Sequence, residues 1–172
     1  MSLALKVLRN LRPLYAVLGF AIAILLFDWV ASGLGIRQIS SWLGFLPRWF
    51  IMAVGVLFIL LWVPIFVGGL RTLGHKVATG YGEHLVANGI FRYVRNPMYS
   101  GFALTLFGIG LLTNLTGAAI APLLGLLIAS RLAWQEEKTL TAKYGTEYTA
   151  YKQQTPMFFP RPGDFFKAVL GK

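Results

Sequence analysis

The chain has 172 residues, of which 56% are hydrophobic and only 13% charged, and its mean hydropathy is +0.65. Soluble domains carry about 25% charged residues, so this composition predicts an integral membrane protein. The formal net charge of +10 comes from basic residues that flank apolar blocks. This placement indicates anionic lipid headgroups rather than nucleic acid as their partner.

Metal and thiol chemistry are disfavoured by the same composition. The chain has no cysteine, which excludes disulfides, cysteine-based zinc sites and a thiol nucleophile. Its two histidines, His75 and His84, have a spacing that fits no common zinc motif. We therefore expect no metal.

The first two apolar blocks run over about 14–34 and 49–70. Each is long enough to cross a hydrocarbon core about 30 Å thick. A basic start followed by an apolar run also occurs in signal peptides, but here the run is too long and a second one follows. We predict two retained membrane spans, joined by an amphipathic connection over 35–48 that can lie at the interface.

The third and fourth apolar blocks, about 97–113 and 117–134, are separated only by 114–116. They predict a tight helical hairpin across the membrane. Asn96-Pro97 is typical of a helix N-cap followed by proline at the first helical position. Beyond the fourth block, a polar helix is predicted to about Tyr151, with Gly145 as a point of interruption.

The distribution of lysine and arginine orients these helices. Most of them lie before the first span, between the second and third, and after the fourth, which puts both termini in the cytoplasm. The predicted fold is all-α: a bundle of four transmembrane helices with a cytoplasmic cofactor-binding connection and a C-terminal helix. Residues 1–172 form one membrane domain, divided into two N-terminal spans (1–70) and a second region (71–160) that contains the hairpin (97–134). We expect it in a bacterial inner membrane.

A polar segment, LVANGIFRYVRNPMYSG, occupies residues 85–101 between two apolar blocks. The helix that begins at Pro97 would present backbone N–H groups and a partial positive charge to an anion. Arg92 and Arg95 add full charges, and Tyr99 offers a hydroxyl at the membrane boundary. Gly89 and Gly101 would let the backbone approach a ligand closely.

Two adjacent carboxylates, Glu136 and Glu137, follow the fourth block on the same side of the membrane. An anion receptor together with a carboxylate suits a zwitterionic nucleoside cofactor. The alternative is that the arginines and tyrosines are interfacial anchors and that the glutamates are solvated. Asp28, inside the first block, is a functional candidate unless it reaches water at the outer end of the span.

The order of RTLG (71–74), the polar segment, the hairpin, the glutamate pair and KYGTEYTAYKQQTPMFFP resembles the isoprenylcysteine carboxyl methyltransferase family. Phospholipid methyltransferases of the phosphatidylethanolamine type share this C-terminal signature. The resemblance covers about 71–160 and implies a membrane-embedded methyltransferase that uses S-adenosylmethionine. It departs from the family at Asn96, where histidine is usual, and at Arg131, which lies further from the glutamate pair than is usual.

The same resemblance implies roles for individual residues. Arg95, Asn96, Pro97 and Tyr99 would surround the methionine moiety of the cofactor. The adenosine would be lined by Leu85, Val86 and the stretch from Gly89 to Tyr93, and either Glu136 or Glu137 would hold polar cofactor groups. The implied catalytic residues are Arg71, Arg95, Tyr99 and Glu137.

The acceptor is expected to be lipophilic and to enter from the bilayer. Isoprenylcysteine carboxylates and phospholipid amines both remain open, and so does the oligomeric state. A carboxylate acceptor needs no base, whereas an amine needs a glutamate, a tyrosine, His75, His84 or water. Two other functions are possible: an NADPH-dependent reductase of the sterol type, and a non-enzymatic membrane scaffold.

Overall fold

The computed structural model describes residues 12–79 and 85–171, without the side chains of residues 12–21, 42 and 73–79. Within these ranges the chain is helical and contains no named strand, which confirms the all-α prediction. Two short 3-10 helices precede α4 and α7. The seven α-helices are α1 (Arg12–Gly33), α2 (Ile39–Trp42), α3 (Arg48–Thr79), α4 (Pro97–Thr113), α5 (Thr116–Tyr144), α6 (Thr146–Gln154) and α7 (Phe165–Leu170).

Among the described residues, two helices are long and apolar enough to cross a membrane: Arg48–Thr72 within α3, and α5. Only 22% of the apolar window in the first and 33% of that in the second are buried inside the protein. The core helix of a soluble protein would bury most of such a window, so these helices have the exposure expected against lipid. The helix α4 and the part of α1 whose side chains are described, Ile22–Gly33, are apolar but shorter.

Helices α3, α4 and α5 pack closely because small residues lie where they cross. A Cβ atom on Gly101 would come within 2.7 Å of the Phe66 backbone nitrogen, and one on Gly108 within 2.7 Å of the Gly55 carbonyl. Contacts between small residues let membrane helices approach this closely. Gly101 thus has a packing contact with α3 that accounts for it without a ligand.

The end of the bundle opposite the polar segment is fastened by hydrogen bonds between the α1–α3 connection and the hairpin turn. Asn114, in the left-handed region with φ 62°, ends α4. Its Oδ1 accepts from the Ser40 N–H at 2.9 Å, and its Nδ2 donates to Ser40 Oγ at 2.9 Å.

Asp28 makes further contacts at this end of the bundle. Its Oδ1 accepts from the Gly117 N–H, in the first turn of α5, at 3.2 Å, and its Oδ2 lies 3.5 Å from Arg37 Nε. The carboxylate therefore satisfies a helix N-terminus from a neighbouring helix. This structural role explains an acidic residue inside an apolar block.

Two helices are longer than the hydropathy pattern indicated. The helix α3 continues past the predicted end at residue 70 to Thr79, and α5 runs without a break from the apolar hairpin into the polar region. Gly145, with φ 57° and ψ −123°, ends α5 at the predicted interruption. The chain then turns, and α7 packs on α3 through the rings of Phe165 and Trp62, whose centroids are 5.7 Å apart.

Candidate functional site

The polar segment meets the C-terminal part of the chain at the beginning of α4. Pro97 is the first residue of α4, as predicted, and Asn96 occupies the N-cap position. The Asn96 side chain makes no capping hydrogen bond, however; its Nδ2 donates to the Met157 carbonyl at 3.3 Å. The backbone N–H groups of Arg95 and Asn96 donate to the carbonyls of Pro156 and Met157, both at 2.9 Å. The predicted N-cap position is confirmed, but the Asn96 side chain binds the returning C-terminal segment instead of capping α4.

Arg95 and Glu137 form a buried ion pair beneath this junction. Arg95 Nε and Nη2 donate to Glu137 Oε1 at 3.0 and 2.7 Å, and the two side chains are only 9% and 5% exposed. Lys152 Nζ lies 2.7 Å from the other carboxylate oxygen. Arg95 Nη1 donates to the carbonyls of Lys152 and Thr155 at 2.8 and 2.5 Å. This network joins the connection before α4 to α5 and to the end of α6.

The buried network borders on two tyrosines of α6. Tyr148 is 2% exposed, and burial, followed by the nearby Glu137 carboxylate, raises the pKa of its hydroxyl to about 12. The Tyr151 hydroxyl donates to the Phe91 carbonyl at 2.7 Å, and burial also raises its pKa. Tyr151 thus connects α6 to the polar segment.

Glu136 has surroundings different from those of its neighbour. It is exposed, and its Oε1 accepts from the Tyr99 hydroxyl at 3.4 Å. Successive residues on a helix point about 100° apart, so Glu137 faces Arg95 while Glu136 faces Tyr99. Of the pair, Glu136 is the carboxylate that solvent and a ligand can reach.

A cleft of about 390 Å³ separates the polar segment from α6. Ligand pockets in proteins range from about 300 to 1,000 Å³, so its size suits a small molecule. It combines one arginine, one glutamate, a tyrosine and apolar side chains. The lining residues are Leu85, Ala87, Arg92, Glu147, Ala150, Tyr151, Gln154 and Thr155.

Gly89 lies against Thr72 of α3. It lies at φ 58° at the start of a 3-10 helix, Gly89–Arg92, and a Cβ atom there would come within 2.9 Å of Thr72 Oγ1. Both the backbone angle and this approach favour glycine. Arg71, the residue before Thr72, is exposed.

The remaining predicted site residues lie in different surroundings, and Leu85 is the one that lines the cleft. Val86 is half-buried, whereas Tyr93 packs against the hydrophobic core that contains Ile90 and Val94. His84 lies outside the described residues, as does the side chain of His75. Within the described ranges, no three potential metal ligands come together.

Several residues of the site have no signal in the sequence pattern. Lys152 and Thr155 complete the Arg95–Glu137 network, and Glu147 and Gln154 line the cleft. All four follow Gly145, where α5 ends and a separate helix, α6, begins. A prediction that continues one helix through Gly145 therefore places these four side chains on the wrong faces.

Comparison with known proteins identifies the family of the chain. The model of the phospholipid methyltransferase family matches residues 50–147, more than half of the chain. Protein-S-isoprenylcysteine O-methyltransferase B of Arabidopsis thaliana is 28% identical over 134 residues, which are 73% of this chain and 67% of that protein. Its paralogue A is 26% identical over 133 residues, with the same coverage. No solved structure matches significantly.

These findings confirm the resemblance predicted from the motifs and favour neither the reductase nor the scaffold. The matched region extends from α3 to the first residues of α6, so it includes the polar segment, the hairpin and both glutamates. The chain belongs to the phospholipid methyltransferase family and is a membrane methyltransferase.

Proposed function

We propose that this methyltransferase uses S-adenosylmethionine and methylates a lipophilic acceptor that enters from the bilayer. The observation that carries the proposal is the hydrogen bond between Tyr99, in the first turn of α4, and Glu136 of α5. It joins a carboxylate to the positively polarised N-terminus of a helix. In a zwitterionic cofactor, the anionic group can be attracted by the helix N-terminus and the cationic group by the Glu136 carboxylate.

The residues around the cleft fit the chemistry of this cofactor. Arg92 is exposed at the cleft and can attract a carboxylate, and Leu85 offers an apolar wall for an adenine ring. We assign the adenosine to the stretch containing Leu85 and Val86, and the methionine moiety to Asn96-Pro97 and Tyr99. Glu136 would accept from the cofactor's ammonium or hydroxyl groups.

Arg95 and Glu137 have a different part in the proposal. Four hydrogen bonds from the Arg95 guanidinium go to Glu137 and to two backbone carbonyls. These contacts fix the returning segment that carries Thr155, a residue of the cleft wall. We therefore assign both as positioning residues rather than as direct ligands. Arg71 remains a candidate at the entrance because it is exposed beside the Gly89–Thr72 contact.

The bound cofactor would supply an electrophilic methyl group on a sulfonium. The chain's own residues would align the acceptor with it and exclude water, an effect that contributes several kcal/mol in well-oriented reactions. A carboxylate acceptor requires no proton transfer. An ammonium acceptor must lose a proton, and the exposed Glu136 carboxylate is one candidate for the base.

We further propose four membrane spans, with both termini on the cytoplasmic side of a bacterial inner membrane and residues 1–172 in one domain. At 1.5 Å per residue, the 17 residues of α4 extend about 25 Å, slightly less than the bilayer core. Such a helix crosses where the bilayer thins or where protein covers its ends. The basic residues on the side of the polar segment support this orientation.

The acceptor class can be tested with methyl-labelled S-adenosylmethionine. An isoprenylcysteine analogue and phosphatidylethanolamine are supplied separately in detergent, and the product is treated with alkali. A methyl ester releases labelled methanol, whereas an N-methylated lipid keeps its label. Label in either lipophilic product supports the proposal, with Glu136→Gln as the impaired control. Absence of label from both, and from a total lipid extract, would refute it.

A further inference from the structure

Three residues of α5 form a basic and aromatic stripe on one side of the helix. Arg131, Trp134 and Lys138 follow one another at i, i+3 and i+7, which places them on one face. Arg131 and Lys138 are exposed, and Trp134 is 52% exposed. Lys138 Nζ lies 3.5 Å from the centroid of the Trp134 ring, within the range of a cation–π contact.

The position of this stripe along α5 corresponds to a membrane boundary. The helix begins at Thr116, so Trp134 lies about 27 Å along its axis at 1.5 Å per residue. This distance is close to the thickness of the hydrocarbon core, about 30 Å. Lys138 lies about 6 Å further, at headgroup level, and the long side chain of Arg131 can extend to the same level.

A shallow groove of about 360 Å³ opens beside the stripe. It is bounded by α5 and by Lys152 at the end of α6. The negative charge of Glu137, which contributes to its wall, is matched by Arg95 and Lys152 together, so that trio retains one positive charge. With Lys138 and Arg131 the surroundings of the groove are clearly positive. The lining residues are Trp134, Glu137, Lys138, Thr141, Ala142 and Lys152.

We propose that this groove binds the headgroup of an anionic phospholipid in the cytoplasmic leaflet. The lysines would receive the phosphate and Trp134 would lie along the upper acyl chains, as tryptophan does at membrane interfaces. The proposal rests on α5 spanning the bilayer in the proposed orientation. It does not depend on which acceptor is methylated.

The groove is separate from the proposed cofactor site. Glu136 lies two residues from both Trp134 and Lys138, which corresponds to about 200° around the helix in either direction. Glu136 and Tyr99 are therefore on the opposite side of α5 from the stripe. An anionic lipid in the groove would contact Lys152, whose Nζ reaches Glu137, and so would stabilise α6 against α5.

The test titrates the full-length protein in neutral detergent with phosphatidylglycerol, phosphatidylcholine or inorganic phosphate, and measures the melting temperature and, by native mass spectrometry, the retained lipid. We expect wild-type protein to prefer phosphatidylglycerol. Each basic residue near an anionic surface contributes about 1 kcal/mol, so Lys138→Gln or Arg131→Gln should weaken this binding about fivefold.

Lys143→Gln is the matched control, because it removes the same charge from an exposed residue of α5 that lies on another face. It should leave the lipid preference unchanged. The proposal is overturned if wild-type protein binds both lipids equally, if inorganic phosphate alone gives the same stabilisation, or if the Lys138→Gln and Arg131→Gln variants keep the preference. S-adenosylhomocysteine binding, measured on the same samples, reports separately on the proposed function.

Discussion

Arg95 directs two donors, Nε and Nη2, to one carboxylate oxygen of Glu137, at 3.0 and 2.7 Å. Arg95 lies in the connection just before α4 and Glu137 lies in α5, and neither side chain is exposed by more than a tenth. Lys152 neutralises the second oxygen from α6. This ion pair therefore joins the three parts of the chain that surround the proposed site.

Loss of the Glu137 charge should destabilise the protein strongly. In Glu137→Gln, the Arg95 guanidinium stays buried without its counter-charge, and breaking such a pair typically costs about 3–5 kcal/mol. Thermal unfolding in detergent should show a clearly lowered midpoint. Glu136→Gln, one residue away but exposed, is the control and should change stability by less than about 0.5 kcal/mol. Equal unfolding midpoints for the two variants would contradict the role of Glu137 as the buried counter-charge of Arg95.

Glu136→Gln should instead weaken cofactor binding. The amide keeps the shape of the side chain but loses the charge that would attract an ammonium, and hydrogen bonds to charged groups are worth about 1.5–3 kcal/mol. We expect an affinity for S-adenosylhomocysteine at least about tenfold lower by calorimetry, with the fold retained. Tyr99→Phe, which removes the hydrogen bond to Glu136, should have a smaller effect. Wild-type affinity in Glu136→Gln would remove this carboxylate from the site.

Gly89→Ala should destabilise the polar segment. The left-handed conformation costs a non-glycine residue about 1–2 kcal/mol, and the new methyl group would lie 2.9 Å from Thr72 Oγ1. A lower unfolding midpoint is expected, with part of the loss recovered in the double variant Gly89→Ala, Thr72→Ala. Gly163→Ala is the control, since a Cβ atom there meets nothing within 4 Å. Equal unfolding midpoints for Gly89→Ala and Gly163→Ala would show that the conformation of Gly89 and its approach to Thr72 do not require glycine.

Alkaline pH should weaken the fold through Tyr148. Its pKa in the folded protein is about 12, compared with 10.0 for an ordinary tyrosine. The unfolded chain therefore loses this proton first, and the associated stability is complete below about pH 10 and is lost as the pH rises through about 12. Chemical unfolding across this window should show the decline, and Tyr148→Phe should make it less steep. If the stability of Tyr148→Phe declines with pH as steeply as that of the wild type, the Tyr148 hydroxyl is not the cause of the decline.

The sequence predicts best the features that depend on local chemistry. Pro97 begins α4 and Gly145 ends α5, because a missing N–H and a positive φ act on the residues themselves. Hydropathy locates the apolar blocks but not the helix ends: α3 continues to Thr79 because a helix does not stop where its residues become polar.

Local chemistry and hydropathy do not predict contacts between residues that are far apart in the sequence. The sequence presents Glu136 and Glu137 as equivalent, and only the position of Arg95, 42 residues before Glu137, makes one structural and leaves the other accessible. The pairing of Arg95 and Asn96 with Pro156 and Met157 is likewise made by backbone groups, which carry no residue-specific signal.

The proposed function depends on binding of S-adenosylmethionine by the polar segment and Glu136. Calorimetry of the purified full-length chain with S-adenosylhomocysteine, and in parallel with NADPH, tests it most directly. We expect saturable binding of S-adenosylhomocysteine that raises the melting temperature and is weakened in Glu136→Gln and Arg92→Gln, with no binding of NADPH. Binding of NADPH alone, or no stabilisation of the folded protein by S-adenosylhomocysteine, would contradict it.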